Sequence, residues 1–497
     1  MIELDGHSLT LEQATRVVFE NEEVAASDVA RDRVERAQGI VEKIVAKGRP
    51  VYGINTGFGR LSNESIPRDR LQELQRKIIL SHAVGVGKRI PAEAVRAILL
   101  FRSNSFLKGN SGIRFQTIQY LIGLLNHRVH PLIPEQGSVG SSGDLAPLAH
   151  LALVLLGKGE AEHDGKIIAG DEALSLIDCP PLSLAPKEGL ALLNGTQFMT
   201  GLSFLVHTRG ENLLKNALAA AALSLEGLRA FTAPFDERLH QSRPHPGQIE
   251  AARAIRILLK GSTLVDSAAD DVQDAYSLRC IPQVLGPTFE ALAFLKEKVT
   301  IEINAATDNP LIFTDGAVLS GGNFHGEILG LALEMAAIAL SEVGSIAERR
   351  IDKLLTSPHR GLPLFLVEER GINSGLMLIQ YTAASLVSEN KILCHPALVD
   401  SIPTSGGKED HNSLAPISAR KALRILTNLE RIIAIELLCA AQAVDFQKEG
   451  RMGEKAHTLH ERVRTIVPRL EEDRYLAPEI ERLTRAVATG GLVHGLL

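Results

Sequence analysis

The 497-residue chain has no tryptophan, and its aromatic residues make up only 4% of the total. With 45% hydrophobic residues, the core has to be built from leucine, isoleucine, valine and alanine, which suits closely packed helices. Cysteine is equally sparse. Cys179, Cys280, Cys394 and Cys439 lie far apart and form no CxxC pair, which argues against a disulfide framework or a zinc site and fits a reducing compartment. Basic charge is not in excess either. The net charge is −6 and the pI about 6.3, so the basic face of a nucleic-acid binder is missing. Pairs such as Lys88-Arg89 and Arg349-Arg350 read as solvated surface. The stretch Met1-Ile2-Glu3-Leu4-Asp5 lacks the basic and apolar regions of a signal peptide. No uninterrupted apolar run reaches the roughly 18 residues of a membrane span; the most apolar stretch, 329–340, is broken by Glu334. These absences predict a soluble cytoplasmic protein with neither nucleic acid nor membrane as partner.

The familiar cofactor motifs are missing too. His460-Glu461 lacks the second histidine of HExxH, and Asp144 stands where GxSxG needs glycine. The glycines of 53–59 do not follow the dinucleotide order, and 85–88 lacks the Walker spacing. The 16 histidines show no metal-ligand spacing. No metal and no nucleotide are expected.

What is present is helical. The length suggests two to four domains. Residues 1–110 mix short segments and are read as a smaller N-terminal mixed domain; 111–497 are read as a long-helix bundle. Helical patterns cover 25–46, 92–107, 113–126, 145–156, 197–231, 248–260, 326–355, 374–393 and 416–446. Strand signals are few, at 311–313 and 317–319. The predicted fold class is therefore mainly α, a long-helix bundle. Faces that look buried on several long helices point to helices from other subunits.

Within this apolar frame stands Gly137-Ser138-Val139-Gly140-Ser141-Ser142-Gly143-Asp144-Leu145-Ala146-Pro147-Leu148. A glycine-spaced loop feeding a helix is a place for backbone chemistry or anion binding. It is also, taken alone, a capped turn with Asp144 as N-cap and Pro147 in the first turn. Other polar clusters interrupt apolar surroundings: Tyr52 with its glycines, Ser81-His82, Asn194-Gly195-Thr196, Gln273 to Arg279, Ser320 to His325, and Glu409 to Ser413. Each has an ordinary reading as a cap or an ion-pair partner.

Taken together and in order, these clusters resemble one family. Gly-Ser-Val-Gly-Ser-Ser-Gly-Asp-Leu-Ala-Pro-Leu-Ala-His (137–150) is similar to the signature of the histidine and aromatic amino-acid ammonia-lyases. The resemblance continues through Tyr-Gly-Ile-Asn-Thr-Gly-Phe-Gly (52–59), Leu-Leu-Asn-Gly-Thr-Gln (192–197), Val-Gln-Asp-Ala-Tyr-Ser-Leu-Arg-Cys (272–280), Ser-Gly-Gly-Asn-Phe-His (320–325) and Glu-Asp-His (409–411). It implies an ammonia-lyase/fumarase-like fold, a homotetramer and active sites shared between subunits.

The resemblance also implies a self-made cofactor. In the family an Ala-Ser-Gly triplet cyclises and loses two waters to give 4-methylidene-imidazol-5-one (MIO). Here the triplet is Ser141-Ser142-Gly143. Ring closure joins the Gly143 nitrogen to the carbonyl carbon of residue 141, so only the backbone of Ser141 takes part, and Ser142 supplies the methylidene. A helix starting near Asp144 would direct its positive end at the ring.

The remaining roles follow from the matching motif positions. Tyr52 matches the catalytic tyrosine that removes the β-proton. Arg279 is suited to the α-carboxylate, and Asn194 and Tyr276 to hydrogen bonds with MIO or the substrate amine. Gln273, Phe324 and Met377 would line the site. Ser81-His82 and Glu409 are the pair expected opposite an imidazole, so the implied reaction is L-histidine to trans-urocanate and ammonia. Lys408-Glu409-Asp410-His411-Asn412-Ser413-Leu414 mixes features of histidine and aromatic lyases, and Ala275 replaces a usual proline. Open alternatives are a phenylalanine or tyrosine ammonia-lyase, a 2,3-aminomutase, and a non-catalytic helical scaffold in which the Ser141 hydroxyl blocks cyclisation.

Overall fold

A computed structural model of the chain describes residues 1–267 and 272–497. Its contacts divide it into two compact units. The first comprises Met1–Leu205, Leu295–Leu333 and Pro396–Arg420; the second comprises Val206–Phe294, Glu334–His395 and Lys421–Leu497. Residue 110 lies inside the first unit, where helices Ala92–Leu107 and Phe115–Asn126 on either side of it pack on each other.

In the first unit, capping chemistry sets the early helices. The Thr10 hydroxyl accepts the Gln13 N–H at 3.1 Å, and the Gln13 side chain accepts the Thr10 N–H at 2.9 Å, opening helix Leu11–Phe19. Ser27 opens helix Asp28–Lys47, and Gly48 closes it at φ 68°. The strands ahead of these helices, Ile2–Leu4 and Val24–Ala26, pair in parallel. Helix Ala92–Leu107 is buried from residue 94 onward on every face. Its arginines survive burial because carbonyls meet them. Arg96 donates to Val18 O and Leu125 O, both at 3.1 Å, at the carbonyl ends of helices Leu11–Phe19 and Phe115–Asn126. Those terminal carbonyls lack intrahelical partners and carry the negative end of the helix dipole. Arg102 donates to Ala191 O and Gln197 Oε1.

The strand signals at 311–319 form an antiparallel hairpin, Leu311–Ile312 with Val318–Leu319. The polar segment after helix Leu145–Leu155 supplies strands Glu160–His163 and Lys166–Ala169, which extend to His130–Pro131 as a three-stranded sheet.

The second unit is helical. It holds most of Gln197–Gly227, then Pro246–Leu259, and the larger parts of Glu327–Leu355 and Ala415–Phe446, together with Met377–Leu393. The long helices lie within a few residues of their expected bounds, and the chain is mainly α as expected. Helix Ile281–Glu302 is an addition to the sequence reading, because Gly286-Pro287 inside it has the composition of a breaker. Those residues serve a close crossing instead. A Cβ on Gly247, in helix Pro246–Leu259, would overlap the Gly286 carbonyl oxygen. Two C-terminal helices, Glu454–Ile466 and Ala477–Thr489, are further additions.

Helix Glu327–Leu355 is long and apolar enough to cross a membrane by length and composition, contrary to the expectation that Glu334 interrupts it; 56% of its most apolar window is buried within the protein. Glu334 is accommodated by an ion pair with the Lys421 ammonium at 2.9 Å.

One fully buried ion pair ties the bundle. Arg350 meets Glu436 through two hydrogen bonds of 2.5 and 2.9 Å, and both side chains are completely buried. The Ser224 hydroxyl donates to the same carboxylate at 2.9 Å. Helices Gln197–Gly227, Glu327–Leu355 and Ala415–Phe446 therefore share one charge-assisted knot. Removing one partner strands the other charge in the core. Glu436→Ala is expected to lower the unfolding free energy by about 3–5 kcal/mol, measured by denaturant titration; an unchanged midpoint would show that the knot is dispensable.

Candidate active site

The 137–144 loop takes its shape from three left-handed glycines, Gly137, Gly140 and Gly143, at φ 136°, 71° and 77°. The Ser138 hydroxyl staples the loop, accepting the Gly140 N–H at 3.1 Å and donating to Gly143 O at 3.3 Å. A second segment grips it from outside. The Leu414 N–H donates to Val139 O at 2.9 Å, and the Ser413 hydroxyl donates to Gly140 O at 3.3 Å.

The tightest contact is with the loop Asn194-Gly195-Thr196. Gly143 and Gly195 form a parallel backbone bridge, and the Asp144 N–H donates to Gly195 O at 2.8 Å. A Cβ on Gly143 would overlap that same carbonyl oxygen. Glycine is thus required at 143 by packing as well as by its φ. The Gly143 nitrogen makes no backbone hydrogen bond among the described residues, so it is not committed to a carbonyl partner. A Ser141-Ser142-Gly143 backbone held as a tight turn, with an uncommitted glycine nitrogen, fits the cyclised group that the triplet suggests.

Asp144 occupies the N-cap position of helix Leu145–Leu155, as expected, but its side chain does not cap that helix. Its Oδ2 accepts the Met199 N–H at 3.0 Å instead, in the first turn of helix Gln197–Gly227. Burial pushes this carboxyl up to about 7, against the opposing pull of the Met199 and Phe198 N–H groups and of Arg102.

Several candidate side chains come together in the first unit. The Ser142 hydroxyl donates to Glu409 Oε1 at 3.4 Å, and Thr404 holds the other carboxylate oxygen at 3.0 Å. His82, at the end of helix Leu71–His82, places its Nδ1 2.8 Å from Ile78 O and 3.0 Å from the Ser81 hydroxyl. A carbonyl only accepts, so Nδ1 carries the proton and Nε2 is left as an acceptor. Burial lowers the His82 pKa below its ordinary value, while the Ile78 bond and the Glu409 charge pull the other way. Tyr52 is half-buried, and its hydroxyl accepts the Gly59 N–H at 3.5 Å. Desolvation raises its pKa, the Gly59 bond lowers it, and the charges of Glu409 and Asp308 raise it further. Among the described residues, the charges that act on Tyr52 are thus acidic, not the cations that a base at neutral pH would need. Asn194 is buried and donates through Nδ2 to Asn309 O at 2.8 Å. Phe324 and Ser141 are half-buried in the same unit.

The other candidates belong to the second unit. Gln273 is exposed and Tyr276 is 71% exposed. Arg279 lies over the Tyr276 ring at 4.6 Å, with its Nε buried and without a hydrogen-bond partner among the described residues. Met377 is half-buried at the start of helix Met377–Leu393.

Behind the loop lies a group the sequence reading passed over: Arg102, Lys187, Glu302 and Asp308, charged side chains that are all largely buried. Their signal in the sequence was no more than single charges among apolar neighbours. Among the described residues one further trio, His325, Glu327 and His411, brings metal-capable atoms within 4.8 Å of one another, although His325 Nε2 already lies 3.3 Å from His411 O.

Residues 9–465 match the family described as Aromatic amino acid lyase. The chain is 50% identical over 483 residues to a histidine ammonia-lyase of Geobacillus sp. (strain WCH70), covering 97% of this chain and 95% of that one. A solved histidine ammonia-lyase from Trypanosoma cruzi is 42% identical, with a TM-score of 0.92 and coverage of 100% of this chain and 94% of the other. A tyrosine aminomutase from Streptomyces globisporus is 37% identical, with a TM-score of 0.94 and coverage of 99% and 98%. With its glycine loop, its paired acceptors and nearly its whole length shared in this way, the chain belongs to the aromatic amino acid lyase family.

Proposed function

We infer that the chain is a histidine ammonia-lyase, converting L-histidine to trans-urocanate and ammonia in histidine breakdown. The observation that carries the substrate is the Glu409 carboxylate, 3.4 Å from the Ser142 hydroxyl, with His82 in the same unit. Glu409 and His82 Nε2 are both acceptors; an imidazole ring carries an N–H donor for one of them, and for both when it is protonated. A phenyl ring has none and would offer neither acceptor a hydrogen bond, a difference that a hydrogen-bonding site turns into selectivity.

Ser141, Ser142 and Gly143 form and hold MIO, and the serine in place of the usual alanine does not interfere, because residue 141 contributes its carbonyl carbon alone. MIO supplies an electrophilic carbon that turns the α-amino group into a better leaving group. Tyr52 takes the β-proton at its phenolic oxygen. Asn194 offers an amide oxygen to the substrate ammonium, Tyr276 supplies a hydroxyl to the amine, and Arg279 holds the α-carboxylate through paired N–H groups. Gln273, Phe324 and Met377 line the pocket.

Gln273, Tyr276, Arg279 and Met377 reach the loop from a neighbouring copy, so the working form is a homotetramer with shared active sites. In support, helix Glu327–Leu355 exposes Ile328, Leu331, Met335 and Ile338, an apolar stripe at helical spacing that a partner helix would cover. The free cysteines fit the reducing cytoplasm.

Three outcomes test this reading. Intact mass is expected to fall short of the encoded chain by two waters, and Ser142→Ala to restore the full mass and abolish turnover while leaving the oligomer intact. Offered histidine, phenylalanine and tyrosine, the enzyme is expected to release urocanate from histidine; cinnamate, coumarate or a β-amino acid as the main product would replace the substrate or reaction assignment. The third outcome is pH dependence. The raised Tyr52 phenol makes kcat/KM climb toward alkaline pH, and Tyr52→Phe is expected to cost roughly 10²–10⁴-fold. The lowered His82 stays neutral at pH 7, so its contribution is lost only as pH falls below about 6.5. A profile falling from pH 7 to 9 would contradict the role of Tyr52.

A further inference from the structure

The six-residue helix Glu188–Leu193 has Lys187 at its N-cap and Asn194 at its C-cap. Consecutive residues of one other segment hold both ends. Lys187 Nζ donates to Asp308 Oδ2 at 2.6 Å, with both side chains essentially inaccessible. Asn194 Nδ2 donates to the Asn309 carbonyl oxygen at 2.8 Å. Asp308 also fixes Asn309, accepting its N–H through Oδ1 at 2.6 Å, while Asn309 Oδ1 accepts the Gly321 N–H at 2.9 Å. In the middle of the helix, Arg102 donates to Ala191 O.

A helix of about 9 Å is too short to hold itself. Lys187 moreover sits at φ 77°, a left-handed conformation that a side-chain-bearing residue keeps only when something holds it. The clamp has a chemical result. The Asn309 carbonyl can only accept, so the amide nitrogen of Asn194 must face it. Asn194 Oδ1 is left buried and without a partner among the described residues. A buried, unpaired amide oxygen costs stability until a donor reaches it.

We propose that the Lys187–Asp308 ion pair is a positioning device for the reaction, seating the short helix so that the Asn194 amide oxygen is aimed and held for the substrate's α-ammonium group. This rests on the reading of the site given above. Lys187 and Asp308 act through Asn194 and touch no substrate.

A double-mutant cycle tests the proposal, using L-histidine as substrate and intact mass to confirm that the two-water loss has occurred in every variant. Asp308→Asn keeps the shape and removes the charge; it is expected to lower kcat by about ten- to hundredfold, the scale of a misplaced reacting group, with a much smaller change in KM. In an Asn194→Ala background the same substitution is expected to cost almost nothing further. Lys187→Arg, which keeps the charge and changes the reach, is the second variant should Asp308→Asn fail to fold, and it is expected to follow the same non-additive pattern. Losses that add in full, or an Asn194→Ala enzyme with undiminished kcat, would overturn the clamp. An unaltered chain that makes no urocanate would overturn the functional reading itself, a result distinct from either.

Discussion

The close approach of two glycines, Gly143 and Gly195, is the constraint on which the rest of the site depends. No side chain fits between these backbones, because a Cβ at 143 would fall on the Gly195 carbonyl oxygen. The approach brings the Asp144 N–H onto that oxygen at 2.8 Å, and from there the start of helix Leu145–Leu155 is placed. It also joins two parts of the sequence that carry different duties, the Ser141-Ser142-Gly143 turn and the Asn194 amide. Loosening it would move the 141–143 turn and the Asn194 amide beside it at the same time. The geometry is fixed by backbone contact rather than by side chains that could rearrange.

That approach is held from behind by buried charge. Arg102 links the Asn194 side to helix Ala92–Leu107 through Ala191 and Gln197, Gln197 Nε2 donates to the Thr307 hydroxyl at 2.8 Å, and the Thr196 hydroxyl reaches Glu302 at 2.5 Å. Burying so many charged groups is unfavourable unless each is paired or hydrogen-bonded. Here nearly all of that bonding converges on residues 191–197 and 302–309. An apolar core would hold the segment equally firmly in energy, but it would not specify which way an amide points. Directional bonds do, and here they fix which way the Asn194 amide points.

The sequence was most legible where a residue's physical requirement is local. Helix Ala92–Leu107 was read to its end residues, because its apolar content and the turn at Gly109–Gly112 need no distant partner. The two short strand signals at 311–313 and 317–319 also show in the sequence, and the structure pairs them as a hairpin. Helix Ile281–Glu302 does not show there, since Gly286-Pro287 counts as a breaker until the crossing with Gly247 is known. Asp144 was read as a cap for the helix that follows it, whereas its side chain caps a helix 55 positions away in sequence. Tyr52, His82, Asn194 and Glu409 stand out in the sequence because they sit in motifs, and all four lie in the first unit. Lys187 and Asp308 do not stand out, because a buried ion pair separated by 121 residues leaves no periodic trace.

The polarity of the site bears on specificity in a way that fold similarity does not. A tyrosine aminomutase shares this fold as closely as a histidine ammonia-lyase does, so shape alone cannot choose a substrate. Asn412 and Leu414 lean toward the aromatic enzymes, but neither faces the loop with a charge. Asn412 spends its side-chain nitrogen on Ile402 O at 2.5 Å, and Leu414 contributes its backbone N–H to Val139. Leu414 is part of the brace that grips the loop from outside, and Asn412 ties the neighbouring segment to Ile402. Glu409 is different, because its carboxylate meets the Ser142 hydroxyl directly and its charge is felt at Tyr52 and His82. The Leu414 bond to Val139 is made by its backbone and does not depend on its side chain. A charge that is felt at two other motif residues weighs more in the chemistry of this region than residues whose bonds are spent on the backbone.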